Sequence, residues 1–120
     1  MHYLAIFIGG GLGSLARYGT GKFANALFPT TFPVGTLLSN ILSCIILGSV
    51  VYLIKDKSYT ATVAGHLVII GFCGGFSTFS TFSFETLELI RSGQIWWGAA
   101  NIAINVIACL LVLFILLKSK

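Results

Sequence analysis

Charge is what this chain has least of: 8% of its 120 residues are Asp, Glu, Lys or Arg, against about 25% in a typical soluble domain. Only three residues are acidic, and the single aspartate, Asp56, lies in a polar connection. Cys44, Cys73 and Cys109 show no C-x-x-C spacing and no His or carboxylate cluster beside them. A zinc or disulfide framework is therefore not expected, and the thiols read as small apolar packing groups. Gly75-Phe76-Ser77-Thr78-Phe79 misses the G-x-S-x-G elbow at its last position. With no nucleotide-binding motif either, the chain is not expected to be an enzyme. Seven basic residues give a net charge of +4, yet no Lys/Arg run is interleaved with aromatics. Nucleic acid is thus not an expected partner, and basic residues near helix ends suit lipid headgroups.

What is present is apolar. The sequence is 57% hydrophobic, with a mean hydropathy of +0.99. Four apolar stretches, 3–28, 33–54, 62–90 and 95–117, each reach the roughly 20 residues that span a hydrocarbon core as helix. They predict a single four-helix membrane domain over residues 1–120, all-α and multi-pass. The first stretch lacks a basic n-region and does not read as a signal peptide. Pro33 suits the first turn of the second helix. Trp96 and Trp97 suit an interfacial belt.

Four spans put both termini on one side, with Lys55, Lys57, Lys118 and Lys120 there and Arg17, Lys22 and Arg91 opposite. Orientation follows the basic-residue asymmetry, and so small a difference is compatible with insertion both ways round and an antiparallel homodimer. Small residues recur at helical spacing, as in Gly9 and Gly13 or Gly35, Ser39 and Ser43, which permits close helix packing.

The third stretch carries Gly74-Gly75-Phe76-Ser77-Thr78-Phe79-Ser80-Thr81-Phe82-Ser83. The paired glycines either break the helix, freeing carbonyls for water or a cation, or only permit a close crossing with the helix intact. Phe79 and Phe82 share a face. They are either lipid-facing or core rings, or rings whose positive edges meet an anion. Ser80 and Thr81 add hydroxyls. Asn40 in the second stretch, and Asn101, Asn105 and Cys109 in the fourth, add polar faces that serve as interhelical glue or as a neutral track. Arg17 either snorkels or draws anions into a vestibule. Glu85 and Glu88 end the third stretch, with Arg91 as a partner for Glu88. His66 stands alone and reads as structural.

The run from Gly74 to Ser83, followed by Glu85, closely resembles the third-helix signature of the Fluc (CrcB) fluoride channels. Gly9-Gly10-Gly11-Leu12-Gly13-Ser14-Leu15-Ala16-Arg17-Tyr18 and Gly35-Thr36-Leu37-Leu38-Ser39-Asn40 look like the other two motifs of that family. The resemblance implies an antiparallel, dual-topology homodimer with two pores that passively export fluoride across a bacterial plasma membrane and so relieve its toxicity. It implies Phe79 and Phe82 as pore-lining rings, Asn40 as the pore amide, and Ser80 and Thr81 as hydroxyls along the route. Arg17 would stand at the vestibule. Backbone carbonyls of Gly74 and Ser77, from both subunits, would hold a central structural Na⁺. The fourth helix departs from the family's hydroxyl-bearing track and offers Asn101, Asn105 and Cys109.

Two other classes compete. A proton-coupled exporter of the small multidrug-resistance type needs a carboxylate in its first helix, and this first stretch has none. A scaffold subunit of a larger membrane complex would use the polar residues only as glue.

Overall fold

The computed structural model describes residues 1–54 and 57–118. Helix α1 spans His2–Leu27 and α2 spans Val34–Leu53. A 3-10 turn at Lys57–Ala61 leads into a rod that is α-helical at Val63–Gly65, π-helical at His66–Cys73 and α-helical again at Gly74–Phe76. We call this rod, residues 63–76, α3. Ser77 and Thr78 are extended, α4 spans Phe79–Arg91, and α5 spans Ile95–Leu117.

The element ends follow local chemistry. Thr62 Oγ1 accepts from the Gly65 N–H at 3.0 Å and starts α3. Beyond α4, Gly93 takes φ +83, so the Gly93 N–H reaches Ile90 O and the Gln94 N–H reaches Leu89 O. That pair is a Schellman closure, and it needs a residue free to adopt the left-handed region. Thr31 and Phe32 clasp this turn, through a 3.1 Å bond to Gln94 and a ring contact with Trp97. The Glu88–Arg91 pair forms at 3.9 Å on the exposed surface, where such pairs contribute little.

Three rods are long and apolar enough to cross a membrane: Val34–Leu53, Val63–Arg91 (α3 and α4 together) and Ile95–Leu117. Helix α1 has the length, at 26 residues, but Arg17, Lys22 and six glycines thin its apolar content. The outside of the molecule is covered by Phe7, Leu15, Leu110, Phe114 and similar exposed side chains, as expected where lipid is the solvent. This is an all-α, multi-pass membrane protein. The chain reverses between successive rods, so α2 and α5 run parallel to one another and antiparallel to α1 and to α3–α4. Of the lysines counted on the terminal side, Lys55 and Lys120 lie outside the described residues.

Helix α1 packs on α3 backbone to backbone. A Cβ on Gly71 would meet Gly9 Cα at 2.9 Å and Ile6 O at 2.9 Å, and one on Gly75 would collide with the Gly10 carbonyl. Small-residue faces let membrane helices approach this closely. Near the terminal side, the His2 and His66 rings meet edge-on at 4.5 Å between centroids, closing the same interface.

Candidate functional site

The break in the third rod is present, and its non-helical residues are Ser77 and Thr78, just beyond the glycine pair. Gly74 and Gly75 remain helical. Close crossing and helix breaking, read as alternatives for the glycines, are thus divided between neighbouring positions. Gly75 fits against Gly10, while the chain unwinds where a hydroxyl residue can cap the next helix. Thr78 is the N-cap of α4: its Oγ1 accepts from the Thr81 N–H at 3.2 Å. A cap of this kind is worth roughly 1 kcal/mol.

Unwound backbone inside a membrane needs partners. Asn40 on α2 supplies them, because its Oδ1 accepts from the Thr78 N–H at 2.8 Å and its Nδ2 donates to the Thr78 carbonyl at 3.4 Å. The primary amide thereby stands in for the neighbouring strand that the extended residue lacks.

From Asn40 a hydrogen-bond chain continues through the bundle. Asn40 Nδ2 donates to Asn105 Oδ1 at 3.1 Å, and Asn105 Nδ2 to Asn101 Oδ1 at 2.8 Å. Asn101 Nδ2 donates to Thr86 Oγ1 at 2.8 Å, and Thr86 Oγ1 to the Phe82 carbonyl at 2.7 Å. Asn101 is 0% exposed. The chain ties α2, α5 and α4 together and ends on the helix that Thr78 caps. Thr86 and Thr78 were not singled out from the sequence, although Thr86 lies one helical turn after Phe82.

Two cavities lie near the break, and the Asn40–Thr78 contact borders the second of them. The first, about 490 Å³, includes Arg17, Lys22, Asn25, Thr36, Ser39, Thr81 and Glu85 in its wall. Glu85 carries a buried Oε2 without a hydrogen-bond partner. The second, about 270 Å³, is walled by Asn40, Cys44, Ser77, Thr78, Phe79, Phe82, Asn105, Val106 and Cys109. Phe79 and Phe82 meet there with centroids 5.6 Å apart and planes tilted by 47°. Phe82 is 8% exposed and Phe79 80% exposed, so one ring is buried in the bundle and the other faces out of it.

The residues singled out from the sequence therefore separate into groups. Asn40, Phe79, Phe82, Asn105 and Cys109 share the smaller cavity, while Arg17 and Thr81 share the larger. Asn101 lies behind both, as the anchor of the chain, and Ser80 is exposed beside the Thr78 hydroxyl, 3.3 Å away.

The break also frees oxygen donors. No backbone hydrogen bond runs from Thr78, Phe79 or Ser80 back to Gly74, Gly75 or Phe76 among the described residues. Gly74 is exposed, with open space beside its Cα. The Ser77 carbonyl accepts from Arg17 Nη1 at 3.4 Å and keeps a second lone pair. Carbonyl oxygens at a helix break are the donor set that suits Na⁺, and those of Gly74 and Ser77 could supply part of a shell.

The sequence of the whole rod assembly has relatives. A family described as "CrcB-like protein, Camphor Resistance (CrcB)" matches residues 4–116. The chain belongs to the CrcB family. It is 40% identical over 119 residues to the fluoride-specific ion channel FluC 1 of Yersinia pseudotuberculosis, covering 97% of this chain and 93% of that protein. It is 44% identical over 108 residues to the fluoride-specific ion channel FluC of Chromobacterium violaceum, covering 90% and 85%. With the FluC of Coxiella burnetii the figure is 37% over 111 residues, covering 92% and 90%. The CrcB family is thus populated by proteins named as channels, and an enzyme reading has no support.

Proposed function

We propose that the protein is a passive fluoride-selective channel that exports F⁻ from the bacterial cytoplasm across the plasma membrane and so relieves fluoride toxicity. The observation that carries this reading is the smaller cavity. It brings the Phe79 and Phe82 rings, the Asn40 amide and the unwound Thr78 backbone into one groove, with no charged residue in its wall. Fluoride is small and strongly hydrated, so its water must be replaced by donors. Amides, hydroxyls and positive ring edges do this without holding the ion as a fixed cation would. The weakest Asn40 bond, the 3.4 Å contact to the Thr78 carbonyl, is the one an incoming anion would replace, freeing an N–H for fluoride. Ser80 and Thr81 add hydroxyls on the route, and Arg17 and Lys22 attract the anion to the larger cavity. On the fourth helix, Asn105 and Cys109 border the route, and Asn101 supports it from behind.

The functional unit in this reading is an antiparallel, dual-topology homodimer with two pores. It is supported by the outward-facing Phe79, by the open space beside Gly74 and by the nearly balanced basic residues of the two sides. Carbonyls of Gly74 and Ser77 from both copies would hold a structural Na⁺, which neutralises the freed oxygens and fixes the break. Partners are then a second copy, fluoride, Na⁺ and lipid. The proton-coupled alternative finds no carboxylate in the groove wall.

The test is fluoride and chloride efflux from liposomes containing the purified protein, followed with ion-selective electrodes. Fast fluoride release with chloride retained is the expected outcome. Verified dimers that release no fluoride would sink the channel reading.

A further inference from the structure

From the sequence, Cys44 reads as a packing residue and Cys109 as packing or as part of a polar track, and both border the groove that holds the Phe79–Phe82 pair. Their placement follows from the bundle. Helices α2 and α5 are parallel, and Asn40 bonds Asn105 at 3.1 Å. Four residues further along each helix, about 6 Å of rise, come Cys44 and Cys109. A further turn brings Gly48 and Leu113 together, where a Cβ on Gly48 would lie 3.3 Å from Leu113 Cδ2 and 2.7 Å from Leu116 Cδ1. The register is thus pinned on both sides of the thiols, by an amide pair above and by a close helix approach below. Between these rungs both thiols border the same groove. Both are half-buried and free. The third thiol, Cys73 on α3, is buried and has no part in the groove wall.

We infer that Cys44 and Cys109 form a two-thiolate binding site for a thiophilic d¹⁰ cation, of the Hg²⁺ type, in the wall of the groove. Metal–thiolate bonds of about 2.3 Å put two sulfurs roughly 4.6 Å apart across a linear ion, a span suited to cysteines at matched positions on facing helices. Soft sulfur ligands select such ions over the hard cations of the cytoplasm. Binding breaks two S–H bonds, forms two metal–sulfur bonds and releases two protons, with no change of oxidation state. A cation held there stands beside the Phe79 and Phe82 rings and narrows the groove. Fluoride passage is then blocked. The binding stands independently of the proposed function, and only the block rests on it.

Binding is measured first, on the intact purified protein titrated with HgCl₂. The thiolate-to-mercury charge-transfer absorption is followed, and maleimide labelling read by mass spectrometry reports each cysteine. The wild-type protein should take up a single Hg²⁺ per chain, which protects Cys44 and Cys109 together and leaves the labelling of Cys73 unchanged. Cys44→Ser and Cys109→Ser should each abolish the absorption, while Cys73→Ser retains it. Should either serine variant fail to fold, the joint protection in the wild-type chain still decides the matter. Protection of one thiol alone, or of Cys73 to the same extent, overturns the site. Fluoride efflux is measured second, where Hg²⁺ should slow it by about tenfold or more, with recovery on adding excess dithiol. Full binding with unaltered efflux overturns the block and leaves the site standing. Absent fluoride efflux before any metal is added counts against the channel reading alone.

Discussion

The two cavities near the break in the third rod are built from opposite materials. The larger one offers full charges, in Arg17, Lys22 and Glu85, among hydroxyls and an amide. The smaller one offers two phenyl rings, two thiols, two amides and unwound backbone, with no ionisable group other than the thiols. Formal charge acts over a Debye length of about 10 Å at 0.1 M salt and concentrates an anion. It also holds what it concentrates. Neutral donors act only in contact, so they can replace a hydration shell and still let go. In the proposed channel, the division of labour is between gathering and passing.

Variants that attack one cavity at a time should separate the two roles. The largest effect is expected from Phe82→Ile, which removes a fixed aromatic wall while keeping most of the volume. Fluoride efflux should fall by about two orders of magnitude, a barrier change near 2.7 kcal/mol, with the proposed dimer intact by size-exclusion chromatography. Lost assembly with unaltered unit flux would instead assign Phe82 to packing. Asn101→Leu should act through stability, because it leaves Asn105 and Thr86 without their shared partner, at about 1–3 kcal/mol. The readout is a lower denaturation midpoint in detergent, accompanied by slower efflux, since Asn40 loses its support. The smallest effect is expected from Arg17→Gln. Fluoride flux should drop by about two- to fivefold at low ionic strength and converge on the wild-type value as salt is raised. A loss that persists at high salt would show that Arg17 acts by holding the Ser77 carbonyl instead of by its field.

The broad plan could be read from composition and period: apolar stretches of span length, polar connections, a broken third rod and a phenylalanine pair at i and i+3. Within one helix such spacing is a geometric statement, so Phe79 with Phe82 and Asn101 with Asn105 could be placed in advance. Register between helices could not. Nothing in the sequence says that residue 40 meets residues 78 and 105, or that Asn101 meets Thr86. The break was located only to within a few residues, since Gly74-Gly75 signals conformational freedom without saying where it is used. The residues that unwind are those whose backbone a second helix can bond. Helix α1 was read by its length, and its hydropathy is lowered by the very glycines that let its backbone lie on α3.

The amide chain has a polarity. Every link donates in the same sense, from Asn40 through Asn105, Asn101 and Thr86 to the Phe82 carbonyl. Turning the Asn40 or Asn105 amide over would set donor against donor at one neighbour and acceptor against acceptor at the other, and turning Asn101 would draw the Thr86 hydroxyl away from the Phe82 carbonyl. The orientation of Asn40 is therefore fixed from both ends, by the Thr78 N–H that its Oδ1 accepts and, through the chain, by the Phe82 carbonyl that can only accept. A substitution at Thr86, which borders neither cavity, would loosen Asn101 and then Asn105 and leave Thr78 alone to hold Asn40, as an arch that has lost one pier leans on the other.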